Sequence, residues 1–202
     1  IQLLNTLKKS NVPIFPLKIV ALPGSIQSLQ IFEPRYVNMI KSSLKDDSGF
    51  VIAFFEEEDS ESSVTISKKG TYVRIIDFNN LPNGLLGITV NAEDKVSIKN
   101  ICQLEDGLNI GEVEPMIDPE VDDQAILAEY PEFVNILAQI MKHPKVSEMP
   151  IDVNFNSADS IAYHLGGLIP LTPEEKQSLL DAFDASQRFM ILSKCIEKMK
   201  ST

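Results

Sequence analysis

The sequence predicts an α+β fold: a compact, strongly curved sheet or small barrel, followed by a helical bundle. Three observations carry this. As far as about residue 117, short apolar stretches of period two alternate with turn residues. The segments between those stretches are too short for the crossover helices of a parallel α/β sheet. Beyond Pro115–Pro119 the apolar period lengthens to three and four, and glycine and strand alternation fade. The expected division is a β domain over 12–117 and a helical domain over 118–202. A chain of 202 residues buries enough surface for a real core without disulfide or metal staples.

The elements follow in order. Pro13, Pro16 and Pro23 forbid one strand running straight through 12–32, so two short strands are expected near 13–18 and 27–31, joined across Pro23-Gly24. Pro34 suits the first helical position, where its missing N–H is no loss. Tyr36, Val37, Ile40 and Leu44 mark the buried face of that helix, and Glu33 favours its positive end. Residues 49–57 read as a buried strand, and the acidic run 56–63 as a solvated loop or hairpin tip. Strands over 71–79 and 85–93 flank Leu81-Pro82-Asn83-Gly84, a hairpin signal because Asn-Gly tolerates positive φ. Further strands are expected over 95–101 and 110–114. In the second half, Ile126, Tyr130, Phe133, Leu137, Ile140 and Met141 form a helical stripe that Pro131 breaks or kinks. Ser157 caps a helix that Gly166-Gly167 ends, Thr172-Pro173-Glu174-Glu175 opens another, and Phe189, Leu192, Ile196 and Met199 stripe the last.

Twenty-nine acidic against eighteen basic side chains give a net charge of -11. Both halves are acidic, so nucleic-acid binding is disfavoured. No apolar run approaches the ~20 residues of a membrane helix, and the first residues lack the apolar core of a signal peptide. Cys102 and Cys195 are expected to be free thiols in a reducing cytoplasm rather than a disulfide.

The chemistry of known catalytic motifs is missing. There is no GxxxxGK[ST] or GxGxxG loop, no HExxH and no paired CxxC, so no cofactor and no metal are expected. A Ser-His or Cys-His site would have to use His143 or His164. His143 reads as a helix-end residue stabilised by the dipole, and His164 as a partly buried, hydrogen-bonded histidine at a domain contact. Ser67-Lys68 and Ser193-Lys194 lie in polar contexts, with neighbouring side chains diverging. The run 56–61 reads as a solvated face. Phe32, Tyr36, Phe54, Phe55, Tyr72 and Phe78 read as core rather than as a base-stacking platform.

Several segments together resemble the Lon N-terminal domain family. Residues 13–40, with Pro13-Ile14-Phe15-Pro16-Leu17, a later Pro23-Gly24 and the run Ile31-Phe32-Glu33-Pro34-Arg35-Tyr36, are similar to the family's opening signature. Residues 70–90 resemble its next block, a strand, turn and strand. Residues 127–133 and 160–180 resemble the helical half of its short bacterial members. The resemblance covers roughly residues 12–196 and implies a PUA-like β pseudo-barrel followed by a C-terminal helical bundle. It implies a non-catalytic protein- or peptide-binding module, with the ATPase and Ser-Lys protease of Lon proteases belonging to other domains. Unfolded or peptide segments of other proteins are the implied partners, together with a Lon-type protease. Where many members carry Gly-x-x-Arg-Phe, Asn91–Val96 lack the Arg and the aromatic, which puts any ligand contact of that Arg in doubt here.

Candidate binding residues surround the helix start: Phe32, Glu33, Arg35, Tyr36, and Arg74 on a nearby strand. An apolar groove with charged groups at its rim can hold an extended segment. The competing expectation is that Arg35 pairs internally with Glu33 or a backbone carbonyl, and that Tyr36 is core. An RNA- or small-ligand-binding role is the alternative that the implied fold class raises. A hydrolase with an unrecognised site is the third, and no turnover is expected.

Overall fold

The computed structural model describes residues 11–57 and 64–201. Most of the acidic run, residues 58–63, lies outside the described residues. The chain forms two compact units. One comprises the described residues up to Ala21 together with Ile26–Met116, the other Leu22–Ser25 together with the residues from Ile117 onward.

Among the described residues the first unit is a mixed sheet with one helix. Its strands are β1 (Asn11–Leu17), β2 (Ile26–Ile31), β3 (Phe50–Glu57), β4 (Val64–Asn80), β5 (Leu86–Gln103) and β6 (Asn109–Pro115), and its helix is α1 (Pro34–Lys45). The sheet order is β2-β5-β4-β3-β1-β6, and β6 also pairs with β5. Five strands therefore pair in a closed cycle, with β2 attached outside it. The hairpin β4–β5 makes this possible. Both strands are longer than the period-two signal suggests, because bulges between Thr71 and Val73 and between Ile75 and Asp77 bend them without ending the ladder. The resulting β5 gives Leu86–Asn91 to β2 and Val96–Gln103 to β6. In the connecting turn Leu81 N–H donates to Leu85 O and Gly84 N–H to Leu81 O. Only Gly84 takes a positive φ there, at 80°.

β1 lies close to the strand expected near 13–18. It holds two prolines and yet pairs on both edges. The two ladders are staggered: Asn11–Ile14 run antiparallel to β6, and Ile14–Leu17 run parallel to β3. Neither ladder spans the whole strand, so the missing N–H groups are accommodated. The β1–β3 pair is parallel, with β2 and α1 forming the crossover.

β3 is buried on both faces. Phe50 and Ile52 join a core cluster with Phe15, Tyr36, Met39, Ile40 and Val90, while Val51 and Ala53 join another with Ile14, Tyr72, Val96 and Val113. That is why its sequence is an unbroken apolar run. α1 starts on Pro34 as expected, but its buried face is Tyr36, Met39, Ile40 and Ser43. Leu44 is exposed, because the face turns by one residue along the helix. Of the six aromatics expected in the core, Tyr36, Phe54 and Tyr72 are buried. Phe32 at 69% and Phe78 at 57% exposure are not. The Tyr72 hydroxyl accepts from Gly49 N–H at 2.6 Å.

The second unit holds α2 (Asp123–Glu129), α3 (Pro131–Ile140), α4 (Pro144–Ser147), α5 (Ala158–Leu168), α6 (Pro173–Asp181) and α7 (Ala185–Lys200). Pro131 occupies the first turn of α3, so the apolar stripe of 126–141 is split into two helices. Asp122, Ser157, Thr172 and Asp184 each cap a helix by accepting a backbone N–H, and Thr172 with Glu175 forms a reciprocal capping box. Gly166 and Gly167 do not end α5; they lie inside it. A Cβ on Gly166 would sit 2.5 Å from the Leu179 side chain, so the glycine is kept for close packing against α6. His143 is a helix-end residue as expected, but as the N-terminal cap of α4, its Nδ1 accepting from Lys145 N–H.

The centre of this unit is an arginine that sequence periodicity does not single out. Arg188 on α7 is fully buried. It pairs with Asp118 and Asp159, donates to Leu179 O at 3.2 Å and Ala182 O at 3.3 Å, and lies over the Tyr163 ring at 4.5 Å. Burial pushes the Tyr163 phenol well above its ordinary range, and burial also raises Asp159 against the opposing pull of Arg188.

Removing one member of a buried ion pair strands the others. Arg188→Ala is expected to cost about 3 kcal/mol or more in urea unfolding followed by helical circular dichroism. Glu175 offers a pH test. Thr172 N–H and then Lys198 hold its carboxyl below its ordinary value of 4.5. A depressed carboxylate adds stability that is present above the unfolded-state value and lost as pH falls through the folded one. Wild type is expected to exceed Glu175→Gln in stability at pH 7, and the gap to close as pH drops below about 4.5.

Candidate functional site

A groove of about 620 Å3 opens on the first unit where the end of β1 meets the β2–α1 junction. The local sequence explains the junction. Ile31 ends β2 buried, Phe32 follows exposed, and Pro34 enters α1 as its first residue. Glu33 caps the helix by backbone only: its carbonyl accepts from Tyr36 and Val37 N–H, while its carboxylate makes no capping bond. That carboxylate pairs instead with Arg35 at 2.8 Å. Arg35 also donates to Gly107 O at 2.6 Å and lies over the Tyr36 ring at 4.7 Å. Gly107, at φ 84°, lets the 104–107 turn approach Arg35 closely.

The floor of the groove is apolar. Phe15 stacks on Tyr36 with ring centroids 4.1 Å apart, and Leu17, Phe55 and Ile66 line the walls. Lys18 reaches the rim, its Nζ 5.8 Å from the Phe55 ring centroid. Burial raises the Tyr36 phenol above its ordinary range. Among the described residues, Lys18, Arg35 and Glu33 are the charged residues of the lining.

Four of the five candidate residues thus come together: Phe32, Glu33, Arg35 and Tyr36 line the groove. Arg74 does not. It donates to Asp47 O at 3.1 Å and lies 3.6 Å from the Glu93 carboxylate. Burial raises the Glu93 carboxyl, and Arg74 opposes that shift. Arg35 is held internally by Glu33 and a carbonyl, and Tyr36 belongs to the core, so both contribute shape and polarity to the groove from fixed positions. Phe15, Leu17, Lys18, Phe55, Ile66 and Gln103 also line it and are not among the binding residues that the sequence suggests; the sequence reading puts Phe55 in the core. Phe15 and Leu17 sit in the Pro13–Leu17 stretch; no local pattern marks the other four as neighbours. None of residues 91–96 lines the groove.

The histidines lie elsewhere. His143 is exposed. His164 is buried on α5, with Nδ1 at 2.7 Å from Ser160 O. That carbonyl requires the proton on Nδ1, which leaves no base there for the Ser160 hydroxyl at 3.3 Å. Nε2 is buried against Gly24, without a hydrogen-bond partner among the described residues. Cys102 and Cys195 are free thiols, the first exposed and the second buried. Among the described residues no group of three or more potential ligands is placed to hold a metal ion, and no helix is long and apolar enough to cross a membrane.

Comparison with known proteins places this geometry in context. Residues 11–198 match the family model described as the ATP-dependent protease La (LON) substrate-binding domain. The chain is 24% identical over 196 residues to a Lon protease of Brevibacillus choshinensis, a match covering 91% of this chain and 24% of that protein. It is 25% identical over 200 residues to a Lon protease of Buchnera aphidicola, covering 94% of this chain and 25% of that protein. The chain therefore spans about a quarter of the length of the curated relatives it matches. The crystal structure of a Lon N-terminal domain protein from Xanthomonas campestris superposes with a TM-score of 0.71 at 25% identity, covering 92% of this chain and 98% of that one. The N-terminal domain of a Mycobacterium avium complex Lon protease shares the fold, with a TM-score of 0.67 at 18% identity over 91% and 96% of the two chains.

The glycine beside His164 gives a test of local packing. Gly24 and Gly84 share a φ of 80°, but a Cβ on Gly24 would lie 2.6 Å from the His164 ring, whereas Gly84 has nothing within 4 Å. Gly84→Ala is expected to cost about 1 kcal/mol, the left-handed penalty alone, and Gly24→Ala clearly more. Paired thermal melts check the difference.

Proposed function

The chain belongs to the LON substrate-binding domain family, and on that premise we propose that its groove receives unfolded or extended segments of other proteins. The observation that carries this reading is the groove itself: an apolar lining that includes Phe15, Leu17 and Tyr36, an exposed Phe32 at the lip, and charges held at fixed places on the rim. Such a site gains affinity by covering apolar side chains and uses few polar groups for orientation. Phe32, Glu33, Arg35 and Tyr36 are its binding residues in this reading, and Arg74 acts as a support of the sheet.

The closed cycle of strand pairings supports describing the first unit as a PUA-like pseudo-barrel, with domains at 12–117 and 118–202. We place the protein in protein turnover alongside a Lon-type protease, in the reducing cytoplasm that its two free thiols suit. The acidic chain disfavours an RNA ligand.

The test is fluorescence anisotropy of a labelled peptide of about ten residues that alternates Val and Thr around a central Phe. Anisotropy is expected to rise at high micromolar protein. Phe32→Ser should weaken binding about fivefold to tenfold while changing stability by no more than about 0.5 kcal/mol, since Phe32 is mostly exposed. An unchanged anisotropy, or an affinity indifferent to Phe32→Ser, would sink the reading.

A further inference from the structure

We propose that a second hollow on the first unit, on the solvent face of β2, β5 and β4, binds one saturated ring through neighbouring hydroxyl groups, the chemistry of a pyranose or a ribose. The site does not depend on how the groove is used. Its volume is about 300 Å3, at the lower end for small-molecule sites and enough for one ring.

Strand register builds the hollow. Ser28 stands opposite Thr89, and Thr89 opposite Asp77. Two residues along, Gln30 stands opposite Gly87, and Gly87 opposite Asn79. Residues directly opposite in an antiparallel ladder share a face, so these positions form two parallel rows across three strands. Leu29 and Ile88, on the other face, pack into the core. The bulge between Ile75 and Asp77 decides what the β4 end of each row carries. Ile75 pairs with Val90, so a regular ladder would set Ile76 opposite Thr89 and Phe78 opposite Gly87. The extra residue flips the alternation and puts Asp77 and Asn79 there instead. Gly87 completes the arrangement. A Cβ on it would lie 2.5 Å from Asn79 Oδ1 and 3.1 Å from the Leu81 side chain, so the glycine lets both close in over β5.

The side chains suit hydroxyls. Hydroxyl and carboxamide groups donate and accept, and a carboxylate accepts at two oxygens. Asp77 Oδ1 accepts from Phe78 N–H at 2.9 Å, which steadies the carboxylate and leaves lone pairs on both oxygens for two adjacent donors. Among the described residues, Ser28, Gln30, Asn79 and Thr89 make no side-chain hydrogen bond to the chain. Asp77 is the one charged residue of the described lining, so an anion is repelled. A lone carboxylate is too little for a hard cation, and no group of three potential metal ligands stands among the described residues. Leu81 offers an apolar wall to the ring's C–H face. A neutral ring with vicinal hydroxyls satisfies all of these at once.

The experiment records amide nitrogen–proton spectra of the full chain during titration with methyl α-D-glucopyranoside and, in a second arm, adenosine. 2′-Deoxyadenosine, which lacks the vicinal diol, is the control. Saturable shifts are expected at residues 28–30, 77–81 and 87–89. Saturation by the glycoside alone assigns the ring to a pyranose, and by adenosine alone to a ribose. Asp77→Asn keeps the bond to Phe78 N–H and should weaken binding about tenfold, a charge-assisted hydrogen bond lost. Thr89→Val keeps the branched shape, removes the hydroxyl and should weaken binding about fivefold, which decides the matter if Asp77→Asn does not fold. Gln30 also borders the groove, so Phe32→Ser is the control for that site and should leave ring binding unchanged. The proposal is overturned if neither probe saturates these positions, if 2′-deoxyadenosine binds as well as adenosine, if the shifts centre on Phe32–Tyr36, or if the folded variants bind as tightly as wild type.

Discussion

A hairpin that cannot lie flat governs the first unit. β4 and β5 run for 17 and 18 residues, too long for a small domain to keep straight, and two bulges turn the excess length into curvature. Once β5 bends, it can serve β2 with one half and β6 with the other. β6 in turn meets β1, and the pairings return on themselves. The same bend leaves β2 outside the cycle and puts the β2–α1 junction beside the end of β1. The groove is a product of that one deformation.

The helical unit is held by a different kind of interaction. Its caps and apolar stripes make the helices, but an arginine at its centre ties separate parts of the chain together. Arg188 bonds to Asp118 before α2, to Asp159 on α5 and to carbonyls of Leu179 and Ala182 around the end of α6. A fully buried guanidinium is tolerable only because its donors are met from several directions. The arrangement makes the segment after β6 part of the helical core rather than a slack connection.

What could be read in the sequence was local. Pro34 at a helix start, the Thr172–Glu175 box, the Asn83-Gly84 turn and the unbroken apolar β3 each carry their cause within a few residues. What could not be read was set by distant partners. The two prolines of β1 are harmless only because its ladders to β3 and β6 are staggered. Gly166-Gly167 looks like a helix stop until Leu179 is placed against it. Arg188 has the same local signature as any polar residue on an amphipathic helix. The site divided the same way: the contiguous Phe32–Tyr36 was legible, whereas Phe55, Ile66 and Gln103 come from strands whose meeting no local pattern announces. Arg74 shares the residue type of Arg35 but not its place.

Gly166 has a consequence for how such a chain can drift. A Cβ there would meet side-chain tips, Leu179 at 2.5 Å first and Leu22 at 3.2 Å next, and no backbone, so the position is closed to a larger residue while Leu179 keeps its length. A methyl gained at 166 is affordable if carbon is lost at 179. Among relatives the two positions should therefore co-vary in volume, one shrinking as the other grows, while the separation of α5 and α6 stays constant.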